Sequence, residues 1–381
     1  MAELPVELFH AILDQLKNDL HTLFKLRLVS KPINELLTPW LFDMIMVWGA
    51  SVKGAELFRY CGDSVRRAVR MMYIAVGEGP VPGNPNQEPA ALVAASRLSG
   101  LTSLEDLRLD FAGDWGKKQL DTCMYLKVFE TLANSHPPPS LTSLGLINVR
   151  AAPDSLYSRE DFLTIFRPLK KLEIAANSGD YEDQLDEETF PDPGRVEFWD
   201  KSLPNVIRSA TALTSLTLRT DHWVGGFPAL SFKDVFLPQL TEFVLQRFMF
   251  EPAIPDYDIV QFVIRHKDTL TRLDFQHCTI GSSHGGDGGQ HDLVWQRPWH
   301  AVFTAFAVEL GKLTEFAYVA FSEDSSDEEE EENDSEEEGA RFLYSVLLVE
   351  GGYKIVENED AAERDRVTLE DLQRLVRARK S

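Results

Sequence analysis

Cysteine is scarce in this 381-residue chain: only Cys61, Cys123 and Cys278 occur, far apart and odd in number. That excludes a disulfide framework and suits a reducing compartment, cytoplasmic or nuclear. A basic stripe is missing as well. With 61 acidic against 38 basic side chains and a formal net charge of -23, the clustered cations that neutralise a phosphate backbone are lacking, so no nucleic acid is expected as a partner. Long apolar runs are absent too. The most apolar stretch, residues 41–50, is interrupted by Asp43 and falls far below spanning length, so no membrane partner is expected. Glu3 and Glu7 stand where a signal peptide needs a basic start and an unbroken apolar run.

Catalytic signatures are equally lacking. The chain has no His-Glu-x-x-His helix and no Cys-x-x-Cys pair. The glycine-rich stretch 282–291 lacks a phosphate-loop lysine and the glycine spacing of a dinucleotide fingerprint. His277, Cys278, His284, Asp287 and His291 match no common zinc spacing, and Cys278 is expected in a buried turn. Asp183, Asp186 and Glu187 lie in a polar stretch that reads as solvated loop. The reading is no enzyme, no cofactor and no metal.

What the chain does have is a 44% hydrophobic content, enough for a sizeable core, and one sharp exception to it. Residues 322–338 hold twelve acidic side chains, about half of the net charge, and no apolar residue to bury. Adjacent carboxylates oppose compaction, so a disordered insertion over 322–340 is expected. Ser325, Ser326 and Ser335 each precede a glutamate by three positions, which suits acidophilic phosphorylation.

At the N-terminus Leu4 and Pro5 open a helix whose apolar stripe runs through Leu8, Ile12 and Leu16. A second helix carries Leu23, Leu26 and Val29 and ends near Ser30. A third starts at Pro32, runs through Leu36 and Leu37, and is expected to end with help from Pro39. Three helices in so few residues bury little surface on their own. They read as a docking module or as the first helices of a larger core. The order Leu4-Pro5-x-Glu7-Leu8, Ile12, Leu16, Leu26-Arg27-Leu28-Val29-Ser30-Lys31 and Leu37-x-Pro39-x-Leu41-Phe42 resembles the F-box, in its fungal form, over residues 3–43. The resemblance implies an Skp-type adaptor as partner and, through it, a cullin-RING ubiquitin ligase. It places Leu4, Pro5, Leu8, Ile12, Leu26, Val29 and Ser30 at the motif positions, some touching the adaptor and some holding the helices together.

Beyond residue 65 a Leu-x-x-Leu-x-Leu motif returns in degenerate form. Its copies are Leu104, Leu107, Leu109; Leu141, Leu144, Leu146; Leu169, Leu172, Ile174; Leu213, Leu216, Leu218; Leu240, Phe243, Leu245; Leu270, Leu273, Phe275; and Leu313, Phe316, Tyr318, with a weaker one near Met72 and Ile74. The last two apolar residues of each copy are two apart and share one face of a strand, while their neighbours are mostly polar. Helix-compatible stretches lie between copies, as at 120–132, 159–166, 257–266 and 299–310. The unit is strand, connection, helix, similar to a leucine-rich repeat, although successive copies are 27 to 44 residues apart, longer than that repeat's usual period. A mixed α/β fold of another kind is the alternative.

The expected fold is therefore α/β: a three-helix module over 1–48, an irregular leucine-rich-repeat-like solenoid over 49–321, the acidic insertion, and a strand with a helix over 341–381. Thr368 is expected to cap that last helix. Functionally, the resemblance implies a substrate-recognition subunit of an Skp-cullin-F-box type ligase. A repeat scaffold that binds proteins without ubiquitination is the alternative. Arg108, Lys171, Glu173, Arg219, Asp274 and Gln276, on the polar strand face, are the expected contacts to an unnamed target protein.

Overall fold

The computed structural model describes residues 6–16, 19–48, 62–76, 90–111, 122–177, 193–225, 228–250, 257–282, 295, 297–320, 342–347 and 353–380. The fold is α/β with mostly parallel strands, and the chain divides into two compact units. One holds residues 1–113 and 120–144; the other holds 114–119 and 145–381. The three-helix module thus shares a unit with the first strands, and 341–381 shares one with residues 145–340. The glycine- and proline-rich stretch 77–89, residues 283–290 and the acidic run lie outside the described residues, as do Leu4 and Pro5.

In the first unit the leucine spacing produces helices α1 (Val6–Leu16), α2 (Leu20–Leu26) and α3 (Lys31–Phe42). Asp19 caps α2 by accepting from the Thr22 N–H at 3.0 Å, and Ser30 caps α3 through the Ile33 N–H at 3.4 Å. Leu13, Leu23 and Leu37 form the shared core, with Leu16, Leu26, Ile33, Leu36 and Leu41 packed around it. Pro39 does not end α3, contrary to expectation: the helix continues through it to Phe42. Both Pro39 and Glu35, whose carbonyl it leaves without an N–H donor, are exposed, so water can take the missing bond.

Directly after α3 comes a strand the periodicity did not suggest, β1 (Met44–Val47). Helix α4 (Asp63–Ala68), β2 (Met71–Ala75), α5 (Ala90–Ser96), β3 (Asp106–Asp110) and α6 (Thr122–Ser135) follow. Strands β1, β2 and β3 are parallel and in chain order, so Ile45, Met72 and Leu107 align, as do Val47, Ile74 and Leu109. All six are buried on one face. The small side chains of Ala90, Ala91, Ala94 and Ala95 bury α5 beside these strands, and Phe111 meets Tyr125 and Phe129 of α6 edge-on. Strand β4 (Ser143–Arg150) is divided between the units after Leu144.

The second unit continues with α7 (Glu160–Thr164), β5 (Lys171–Asn177), and α8 (Pro193–Glu197), which passes through a π turn at Phe198–Ser202 into α9 (Leu203–Ser209). Then come β6 (Ser215–Val224), β7 (Glu242–Phe250), α10 (Ile259–Arg265), β8 (Arg272–Gln276), β9 (Thr279–Ser282), α11 (Trp299–Glu309), β10 (Glu315–Val319), β11 (Leu343–Leu347), β12 (Tyr353–Glu357) and α12 (Glu359–Lys380). Parallel pairing runs β5-β6-β7-β8-β10. A second ladder branches from the end of β7 through β9 to β11, where β12 adds the antiparallel strand. The motif residues Leu172 and Ile174, Leu216 and Leu218, Phe243 and Leu245, Leu273 and Phe275 are all buried, whereas Phe316 and Tyr318 on the edge strand β10 are partly covered.

Two local devices recur. At each strand entry one carbonyl serves the next strand: Thr241 O accepts from Thr271 N at 2.8 Å, Arg272 N at 2.9 Å and Thr271 Oγ1 at 3.1 Å. Thr214 O serves Thr241 in the same way, and Thr271 O serves Thr314. Late in β4 and β7 and just past β8, Asn148, Arg247 and His277 take φ of 57°, 61° and 51°, each two residues after a buried strand residue. This left-handed corner turns the next residue inward, so Val149, Phe248 and Cys278 are buried. Thr368 is not a helix cap: α12 starts nine residues earlier, at Glu359, and Thr368 Oγ1 instead bonds the Arg364 carbonyl at 2.7 Å. The Ala361 N–H donates to Asn358 Oδ1, which performs the capping.

The alternation predicts a contrast measurable by urea denaturation. Leu216→Ala, at a fully buried position, is expected to cost about 2–5 kcal/mol. Arg219→Ala, three residues away on the exposed face, is expected to stay within about 0.5 kcal/mol.

Candidate functional site

The exposed face of the second unit's parallel strands is built by register. One row runs Lys171, Ser215, Glu242, Arg272, Glu315; the next runs Glu173, Thr217, Val244, Asp274, Ala317; the third runs Ala175, Arg219, Gln246, Gln276, Val319. Five of the six expected target contacts, Lys171, Glu173, Arg219, Asp274 and Gln276, therefore share this face. Arg108 belongs to the first unit, on β3, 3.9 Å from Asp106. There Tyr73 donates to Asp110, and burial together with that bond pushes the Tyr73 phenol up to about 12.

Charges on the second unit's face are largely committed to one another. Arg219 lies 3.4 Å from Glu173, and Arg272 lies 3.1 Å from Glu242 and 3.9 Å from Glu315. Lys380, at the end of α12, reaches Glu315 at 2.7 Å; its hydrogen bond and charge, with help from Arg272, hold the Glu315 carboxyl below the usual range. Beside these groups lies a cleft of about 380 Å³ lined by Arg272, Glu315, Ala317, Gln373, Arg377 and Lys380, among others. Glu315 was legible from the repeat spacing, because it follows Leu313 as Arg272 follows Leu270. Lys380 had no sequence signal, since only the packing of α12 brings it here.

Asp274 departs from the alternation. It points to the same side as Arg272 and Gln276 yet is only 8% exposed. Gln276 Nε2 donates to Oδ2 at 3.1 Å, while Oδ1 is shielded and has no hydrogen-bond partner among the described residues.

The helical surface of the first unit separates residues the sequence could not. Leu8, Ile12 and Val29 are 54%, 46% and 68% exposed, and Leu28 and Phe24 are exposed as well. Leu26 packs against the Leu13, Leu23 and Leu37 core, and Ser30 is spent on capping α3. Leu26 and Ser30 therefore hold the module together, whereas Leu8, Ile12 and Val29 face solvent.

A buried polar network escaped the sequence reading. Asp365 of α12 is fully buried and accepts from the His300 N–H at 2.7 Å, from His300 Nδ1 at 2.9 Å and from the Tyr344 hydroxyl. It caps the N-terminal end of α11 from another helix, because the local N-cap Pro298 offers no side-chain bond. Burial, then the bond to Asp365, drives the Tyr344 phenol far above its ordinary value. His300, Tyr344 and Asp365 are dozens of residues apart, so no spacing announces them. Cys278 is buried in the corner after β8, as expected, with its thiol 3.7 Å from the Leu245 carbonyl, and burial pushes it up to about 12. Such a thiol is unreactive at neutral pH.

Among the described residues no group of three or more His, Cys, Asp or Glu is placed to hold a metal ion, and no helix is long and apolar enough to cross a membrane. His284, Asp287 and His291 lie outside the described residues. These features define a parallel α/β protein with one charged strand face in its second unit and an apolar helical surface in its first. No protein-family model matches the chain, and comparison with curated proteins finds no match.

Two predictions follow from the buried polar groups. Asp365→Ala strands the donors of His300 and Tyr344, with an expected loss of about 3 kcal/mol and faster hydrogen exchange in α12 than in α10. His266 is buried, with Nε2 accepting from the Leu237 N–H at 3.0 Å and Nδ1 facing the Phe262 carbonyl at 2.8 Å. Desolvation lowers its pKa from 6.5, so the folded state keeps it neutral while the unfolded chain binds a proton. Its contribution is complete above that unfolded value and is lost as pH falls through the folded one. The urea midpoint should accordingly drop between about pH 7.5 and 5.5, and His266→Gln should flatten that drop.

Proposed function

We propose that the chain is a substrate-recognition subunit of an Skp-cullin-F-box type ubiquitin ligase. The N-terminal helices dock on the Skp-type adaptor, and a leucine-rich-repeat-like strand face holds a target protein. The observation that carries this reading is the division of labour in α1 to α3: Leu13, Leu23 and Leu37 supply the module's core and leave Leu8, Ile12 and Val29 outward, at positions where the F-box resemblance expects a partner. Exposed leucines and valines at such density are otherwise costly on a small helical module, and burying them is what a docking partner supplies.

The second half of the reading rests on strand order. Parallel strands follow one another in the chain, the Thr214, Thr241 and Thr271 carbonyls stand at successive entries, and helices fill several of the connections, which supports reading the sheet as a degenerate leucine-rich solenoid. In this reading ubiquitin transfer belongs to the bound ligase, and the chain itself performs no catalysis.

The test is co-purification of the full chain with an Skp-type adaptor. A Leu8→Ala, Ile12→Ala, Val29→Ala variant is expected to lose binding by at least about tenfold, since apolar anchors are worth roughly 2 kcal/mol each. Its thermal midpoint should stay near the parent's because none of the three is in the core. No binding by the intact chain would overturn the ligase reading and leave a scaffold that binds proteins without delivering them to ubiquitination.

A further inference from the structure

We propose that Asp274 is the anchor point for a basic side chain, lysine or arginine, of the partner protein that occupies the second unit's strand face. The inference deepens the target-holding half of the reading above, and its test uses no adaptor, so either can fail alone.

The register creates a trough. In the middle row the residues around Asp274 are short: Thr217, Val244 and Ala317. The rows on either side carry longer side chains, Glu242, Arg272 and Glu315 on one and Arg219, Gln246 and Gln276 on the other. Asp274 therefore sits at the bottom, with Leu273 and Phe275 buried on the opposite face of the same strand. Ala317, its partner across β8 and β10, also lines the cleft beside α12, which gives the trough an open end.

A carboxylate in that position needs donors, and the protein provides one. Gln276 Nε2 satisfies Oδ2, while Oδ1 is shielded and has no partner among the described residues. The cations close in register are committed elsewhere: Arg272 to Glu242 and Glu315, Arg219 to Glu173. A buried acceptor left unpaired is destabilising, more so when charged. Retaining it costs the free protein stability that a positively charged donor from outside restores on binding, which makes recognition selective for a cation. The flanking Gln246 is a long side chain that can swing aside without any change of backbone.

The experiment is fluorescence anisotropy of a labelled tetra-arginine peptide titrated with the full chain at moderate salt. The acidic run 322–338 also attracts this probe, so the informative quantity is the difference between variants that all retain the run. Asp274→Asn is expected to weaken binding by about tenfold, the loss of one charge-assisted hydrogen bond. Glu309→Gln, the same charge change at a surface ion pair with Lys267, should leave it within about twofold. Equal affinities for the parent and Asp274→Asn, or equal losses in both variants, would overturn the proposal. Urea denaturation supplies an independent check. Asp274→Asn should be at least as stable as the parent, and a lower midpoint would mean the carboxylate is already satisfied within the protein, which also defeats the inference.

Discussion

At the start of a parallel strand a single carbonyl oxygen receives the N–H groups of two consecutive residues from the next strand. In the first unit Asp43 O serves Arg70 and Met71, and Arg70 O serves Glu105 and Asp106; in the second, Lys170 O begins the same succession through Thr214, Thr241 and Thr271. This convergence fixes register, because a slip of one residue would turn Leu216, Phe243 and Leu273 to solvent and Thr217, Val244 and Asp274 to the core. Everything else in each unit depends on that registration. The buried rows, the exposed rows and the ion pairs between neighbouring strands all follow from it.

Electrostatics then shapes the exposed surface. Glu173 with Arg219, and Glu242, Arg272, Glu315 and Lys380 in succession, form short chains of alternating charge, each pair too exposed to add much stability but enough to leave few free cations. Buried charges are handled differently. Asp258 accepts from Arg297 Nη1 on both of its oxygens, at 2.9 and 2.8 Å, and also caps α10, while Asp365 collects three donors. Against these two satisfied carboxylates the half-satisfied Asp274 stands out, and it lies on the face that the strand register presents outward.

The strand positions were legible because a parallel sheet covered on one face demands apolar residues two apart, and Leu104 to Leu109, Leu213 to Leu218 and Leu270 to Phe275 state that demand openly. Strand β1 was missed because Met44 to Val47 lacks the leucine that opens the seven stronger copies. The threonine at Thr214, Thr241, Thr271 and Thr314 recurs beside the leucines, but its role as a second donor to the shared carbonyl shows only once the strands are paired. Pro39 and Thr368 misled for one reason: a local propensity was overridden by the helix in which each sits.

By itself the sequence determined which residues form the buried strand rows, since hydrophobic spacing is written residue by residue and needs no knowledge of neighbours. It also determined the acidic balance and the residue types on the outward rows. Only the tertiary structure decided which of Leu8, Ile12, Leu26, Val29 and Ser30 face outward, and it alone joined Asp365 to His300 and Tyr344. The physical reason is that exposure and hydrogen bonding are relations between residues distant in the chain, fixed by packing and not by any residue's own chemistry.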